Sequence, residues 1–222
     1  MVEYERSFYR HGKNLEIQMV AIIDYDAGNI KSVEKACALL GHETVITRDR
    51  DVILNADHVI LPGVGSFGDA MGHLREYGLC DVIKVVCDRG IPFLGICLGL
   101  QLLFKGSDES PGVEGLGILD GYIHAIPRDR GLKVPHIGWN SLELINDGRL
   151  FEGLSDEPYV YFVHSYYLKA EDESIVKART EYGCDIDASV EQGNIFACQF
   201  HPEKSSSTGL KILDNFLNIR RE

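Results

Sequence analysis

Through the first hundred positions, short apolar runs alternate with stretches of helical periodicity. Residues 19–23 form an apolar run closed by Asp24, the pattern of a buried strand. Residues 29–40 carry Ile30, Val33, Cys37 and Leu40 at helical spacing, and Gly41 stops them. Residues 42–47 alternate like a strand, and 58–61 form another, closed by Pro62-Gly63. Residues 67–89 read as mostly helical with a break near Gly78, 91–96 as a short strand and 98–104 as an apolar helix. This alternation predicts a parallel sheet covered on both faces, with ligands at the carboxyl ends of its strands.

The second half has a different rhythm. Residues 117–126, 135–144, 159–167, 175–180, 188–191 and 195–200 read as strands separated by turns, which predicts an antiparallel extension of the sheet. Residues 207–220 form a closing helix whose apolar side is Leu210, Ile212, Leu213, Phe216, Leu217 and Ile219. No repeat, linker or low-complexity segment divides the chain, so one domain is expected over 19–222. Residues 1–18 are a polar and aromatic leader without the apolar core of a signal peptide. They read either as a true extension or as the result of an early start codon, and they carry no evident chemistry.

Composition narrows the function. With 222 residues, 45% of them hydrophobic, the chain can bury a substantial core. The net charge of -12 argues against a general nucleic-acid binder, which needs clustered Lys and Arg for phosphates. The cysteines at 37, 80, 87, 97, 184 and 198 include no C-x-x-C pair and no Cys/His set that reads as a zinc site. No metal, cofactor or disulfide framework is expected, and a reducing cytoplasm is. Every apolar stretch is too short for a membrane span.

The sharpest chemical signal is Gly95-Ile96-Cys97-Leu98-Gly99, between a strand and a helix. A lone cysteine there is usually inert packing. The two flanking glycines change that reading, because they permit the tight strand-to-helix elbow that lifts a nucleophile to the sheet edge. Free N–H groups at the helix start favour negative charge at this point, and the Leu98 N–H is placed to help hold an oxyanion. Downstream, His201-Pro202-Glu203 follows a strand. A thiol nucleophile needs a base, and the base needs a third group to orient it. Two residues apart in extended chain, His201 and Glu203 face the same side, and Pro202 stiffens the link. His164, after the apolar run 159–163, is the best rival base, though a structural or substrate-lining role suits it better.

Two further features complete the set. Pro62-Gly63-Val64-Gly65 follows a strand and lacks the lysine of a phosphate loop. Its glycines let backbone N–H groups approach an anion, so the second oxyanion donor is expected within Gly63, Val64 and Gly65. Gln101 lies one helical turn after Cys97, on the same face, where it can hydrogen-bond a substrate amide or ammonium.

Together these segments resemble the class I glutamine amidotransferases, the Cys-His-Glu triad family. Within it the chain is similar to the glutaminase subunits of imidazole glycerol phosphate synthase. The similarity runs in order from Ile23-Asp24-Tyr25 through the P-G-V-G-S-F and G-I-C-L-G segments. It continues through Pro135-His136-Ile137-Gly138-Trp139-Asn140 and Tyr161-Phe162-Val163-His164-Ser165-Tyr166 to Gln199-Phe200-His201-Pro202-Glu203-Lys204-Ser205. The resemblance implies an α/β three-layer sandwich around a mixed, mostly parallel sheet. It implies Cys97, His201 and Glu203 as the triad, Gly63 to Gly65 at the oxyanion, and Gln101 with the Ser165-Tyr166 backbone on glutamine. It also implies a heterodimer with a (β/α)8-barrel cyclase, to which ammonia is passed in histidine synthesis, with Trp139 and Lys204 near that interface. Asp26 stands where the family often has glycine. The rival readings are an amidotransferase subunit serving another synthase, a cysteine hydrolase of peptides or γ-glutamyl compounds, and a non-catalytic scaffold.

Overall fold

The computed structural model describes residues 18–26, 28–129 and 131–221. The leader expected at 1–18 therefore lies, but for Gln18, outside the described residues. An eight-stranded sheet forms the centre. Its parallel part contains β1 (Met19–Ile23), β2 (Glu43–Thr47), β3 (His58–Gly63) and β4 (Phe93–Cys97). Alternate residues of β1 face opposite cores, Ala21 and Ile23 one and Val20 and Ile22 the other, so the strand reads as continuously apolar. One core is roofed by α3 (Phe67–Glu76), α4 (Leu79–Asp88) and α5 (Leu98–Leu102), the other by α1 (Ile30–Leu39) and the C-terminal α6 (Ser206–Leu217). That is the expected three-layer arrangement.

A short helix that the periodicity does not announce, α2 (Arg50–Leu54), follows β2. Five residues are too few to show a stripe. Its start is fixed by the Asp49 side chain, which accepts from the N–H groups of Asp51 and Val52.

The second half departs from a simple extension of the sheet. β12 (Ile195–Cys198) joins β4 in parallel. β11 (Asp185–Gln192), β10 (Val176–Glu181) and the two-residue β7 (Glu143–Leu144) then continue antiparallel, in the order β2-β1-β3-β4-β12-β11-β10-β7. The remaining strands leave the sheet as two ribbons, β5 (Gly121–Ala125) with β9 (Tyr166–Ala170) and β6 (His136–Ser141) with β8 (Tyr159–His164). The single runs read at 135–144 and 159–167 are thus each two strands. The first divides at Leu142, which is buried in the core, and the second at Ser165, where the chain passes from one ribbon to the other.

Asp26, in the loop after β1, adopts a conformation that glycine favours. Its φ is 64°, in the left-handed region that Asp tolerates better than most side chains. Its backbone N–H bonds Asp24 at 3.1 Å, and its carboxylate takes Arg48 at 2.8 Å and the Tyr77 hydroxyl. Those two partners hold its carboxyl below the usual range.

Candidate active site

Strand register places the candidate chemistry. Cys97 ends β4 opposite Gly63 at the end of β3, while Ile96 sits opposite Cys198 on β12. His201 lies three residues beyond that last pair, so Cys97, the Gly63–Gly65 segment and His201 converge on one carboxyl edge. The elbow at Cys97 has φ 55° and ψ -108°, a conformation that costs a non-glycine residue energy and that the surrounding packing must hold in place. The flanking glycines explain themselves. A Cβ on Gly95 would lie 2.7 Å from the Gly99 carbonyl oxygen, and one on Gly99 would strike the carbonyl of Leu61.

His201 and Glu203 come together, but not through extended chain. Pro202–Lys204 is a 3-10 turn with proline at its start, and His201 precedes it at φ -103° and ψ 95°. The turn tucks the Glu203 carboxylate under the ring, where His201 Nδ1 donates to Oε1 at 2.8 Å. Both side chains are essentially excluded from solvent. Because Nδ1 carries that proton, Nε2 is left for the thiol, and no hydrogen bond engages it otherwise. Burial opposes charge on the ring, yet the neighbouring Cys97 sulfur and Glu203 carboxylate outweigh it and raise His201 to about 9. Ser205 secures the turn, its hydroxyl donating to His201 O at 2.7 Å and accepting from Tyr161 N at 2.9 Å.

A cavity of about 280 Å³ opens beside the sulfur. Val64, Gly65, Cys97, Leu98, Gln101, Ser165 and Tyr166 all line it. Gly63 lies just behind, against the Tyr25 hydroxyl and 2.9 Å (from its would-be Cβ) to the Leu98 side chain, so only glycine fits. Gln101 is 5% exposed, and its Nε2 donates to Tyr166 O and to Gln199 Oε1, both at 3.1 Å. Trp139 and Lys204 are not in the cavity. Trp139 is 52% exposed on β6, beside Tyr161, which rules out a core role, and Lys204 is exposed on the 3-10 turn.

Three further residues at the site were assigned no role from the sequence. Glu109 lines the cavity and accepts the Phe67 N–H at 2.8 Å, which sets a carboxylate in the wall where a substrate ammonium can meet it. Asn29, at φ 70° before α1, donates to Glu203 Oε1 at 2.5 Å and so steadies the carboxylate that holds the His201 ring. Gln199, fully buried, points its amide nitrogen at the Cys97 sulfur at 3.7 Å. Only the spacing of Gln199 to His201 offered a signal; the other two come from loops remote in sequence.

Comparisons with known proteins identify the family. Residues 21–219 match the family Glutamine amidotransferase class-I. The chain is 49% identical to the imidazole glycerol phosphate synthase subunit HisH of Caldanaerobacter subterraneus subsp. tengcongensis, covering 89% of this chain and 97% of that one. It is 50% identical to HisH of Aquifex aeolicus over 88% and 94%, and 45% identical to HisH of Methanocaldococcus jannaschii over 90% and 100%. Among solved structures, one described as a glutamine amidotransferase superposes with a TM-score of 0.70 at 24% identity, over 89% of this chain and 96% of that one, which speaks for the fold. The chain belongs to the class I glutamine amidotransferases, in the family of imidazole glycerol phosphate synthase HisH subunits.

Proposed function

We propose that Cys97, His201 and Glu203 hydrolyse glutamine to glutamate and ammonia, as the glutaminase of an imidazole glycerol phosphate synthase. The observation that carries this reading is the strained Cys97 elbow on the cavity that Gln101 and Glu109 line, with the His201–Glu203 pair buried behind it. Glutamine enters with its ammonium toward Glu109 and its carboxamide over the sulfur. His201 takes the thiol proton, and the thiolate forms a bond to the carboxamide carbon. Backbone N–H groups of the Val64–Gly65 segment and of Leu98 receive the oxyanion. His201 Nε2–H then protonates the departing nitrogen and ammonia leaves. Water, deprotonated by the same nitrogen, cleaves the glutamyl thioester to glutamate.

The partner in this reading is a (β/α)8-barrel cyclase, forming a heterodimer in the cytoplasm. Among the described residues, no helix is long and apolar enough to cross a membrane. The support for docking is the β6–β8 ribbon. Ile137 (58% exposed), Trp139 and Tyr159 share an outward face, an apolar patch that a monomer has no reason to display. Val64, in the oxyanion segment, is also 38% exposed, so a partner seated nearby would bear on the donors themselves. The test is glutamine hydrolysis by the chain alone and with a barrel cyclase loaded with its ribotide substrate. Strong stimulation is expected. Basal turnover that the loaded cyclase leaves unchanged would move the ammonia to another synthase.

A further inference from the structure

His164 is buried in the cavity wall and unused by the reaction just described. Its Nδ1 lies 2.9 Å from the Tyr166 carbonyl oxygen, and its Nε2 lies 3.0 Å from Nδ1 of His136, itself 3% exposed. A carbonyl only accepts, so His164 must carry its proton on Nδ1. Its Nε2 is then an acceptor, and His136 must donate from Nδ1. The geometry thus fixes both tautomers, provided both rings are neutral. Burial alone pushes His136 down to about 4, and burial is the largest cause that takes His164 to about 3, against the Tyr166 carbonyl, which pulls His164 upward. His136 is held flat between Phe162, centroid 4.8 Å away, and Tyr182, 3.9 Å away, so the donor stays aimed.

The consequence falls on the link between the two ribbons. The Tyr166 oxygen accepts from His164 on one side and from Gln101 on the other, and the Ser165 oxygen accepts from Ile126 N at 3.0 Å. Both carbonyls of the segment are therefore pinned. The same arrangement disposes of His164 as a base, since one nitrogen serves the backbone and the other accepts from His136.

We propose that His164, locked in one tautomer by His136, is a positioning residue that fixes the Ser165–Tyr166 backbone on which glutamine docks, so that its loss raises KM and spares kcat. This rests on the glutaminase reading above. The test is steady-state glutaminase kinetics of the full chain with its partner subunit, comparing His164→Leu, His164→Asn and His136→Leu. Loss of one hydrogen bond to the docking segment corresponds to a rise in KM of about 10-fold for His164→Leu, with kcat within about 3-fold. His164→Asn, whose Nδ2–H overlays the imidazole Nδ1–H, is expected to stay near the parent KM, and His136→Leu to fall between. A KM unchanged in His164→Leu, or equal in the Leu and Asn variants, overturns the proposal while leaving the glutaminase intact. A parent chain inert toward glutamine overturns both. Should the Leu variants fail to fold, imidazole 15N spectra of the unmodified chain decide. Neutral His164 protonated on Nδ1 is expected at pH 7, and an Nε2–H tautomer or an imidazolium refutes the lock.

Discussion

Two buried histidines sit near two strand ends, His164 in the cavity wall and His201 behind Cys97, and behave in opposite ways. His201 follows β12 and is raised to about 9; His164 ends β8 and is lowered to about 3. Both are almost wholly removed from solvent, so burial does not separate them. Their partners do. His201 lies between a carboxylate and a sulfur, both able to hold negative charge, whereas His164 lies between a backbone carbonyl and a neutral ring. The first environment makes a proton carrier and the second a fixed strut. A buried histidine is thus assigned by what its two nitrogens touch.

The contrast breaks most directly at the nucleophile. Cys97→Ala is expected to reduce glutamine turnover at least about 10³-fold while the far-UV circular dichroism stays that of the parent. Substantial residual turnover in that variant would remove Cys97 from the role of nucleophile. Glu203→Gln is expected to cost about 10²-fold in kcat, since Glu203 orients and charges the ring. The same change, by removing a neighbour that raises His201, should move the alkaline limb of the rate profile to lower pH. In the parent that limb is expected near pH 9. In the proposed reaction imidazolium protonates the departing nitrogen, and it is lost as pH rises through the raised value. The sign for stability is the same: the contribution of His201 is complete below its unfolded value of roughly 6.5 and disappears as pH rises through about 9. Thermal melts from pH 6 to 10 check this, and a stability that climbs across that window would contradict the charged environment. The smallest effect is expected from Asn29→Ala, about 10-fold in kcat with KM for glutamine unchanged, because one charge-assisted hydrogen bond to Glu203 is lost. A change in KM instead would place Asn29 on the substrate side.

Local backbone demands are what made part of this site legible in the sequence. The Cys97 elbow needs glycine at 95 and 99 because each approaches main-chain atoms too closely for a Cβ, so the motif announces itself. The parallel strands were equally plain, since β1 and β3 are buried on both faces and read as apolar runs. The ribbons were not. Alternation continues across Leu142 and Ser165, and only long-range pairing decides that β6 and β7, or β8 and β9, part company there. The outline of His201-Pro202-Glu203 was readable, but its turn came from packing against Ser205 and β8. Asn29, which meets its partner 174 positions away, and Glu109, brought in by a loop, leave no local pattern.

The assignment of Cys97 is tested most directly by labelling the intact chain with a γ-electrophilic glutamine analogue and mapping the adduct by peptide mass spectrometry. Buried Cys198, whose thiol burial pushes well up, serves as the internal control on the neighbouring strand β12. The expected result is one adduct, on Cys97, slowed by excess glutamine. Labelling of Cys198 or of the other cysteines while Cys97 remains free would contradict the account.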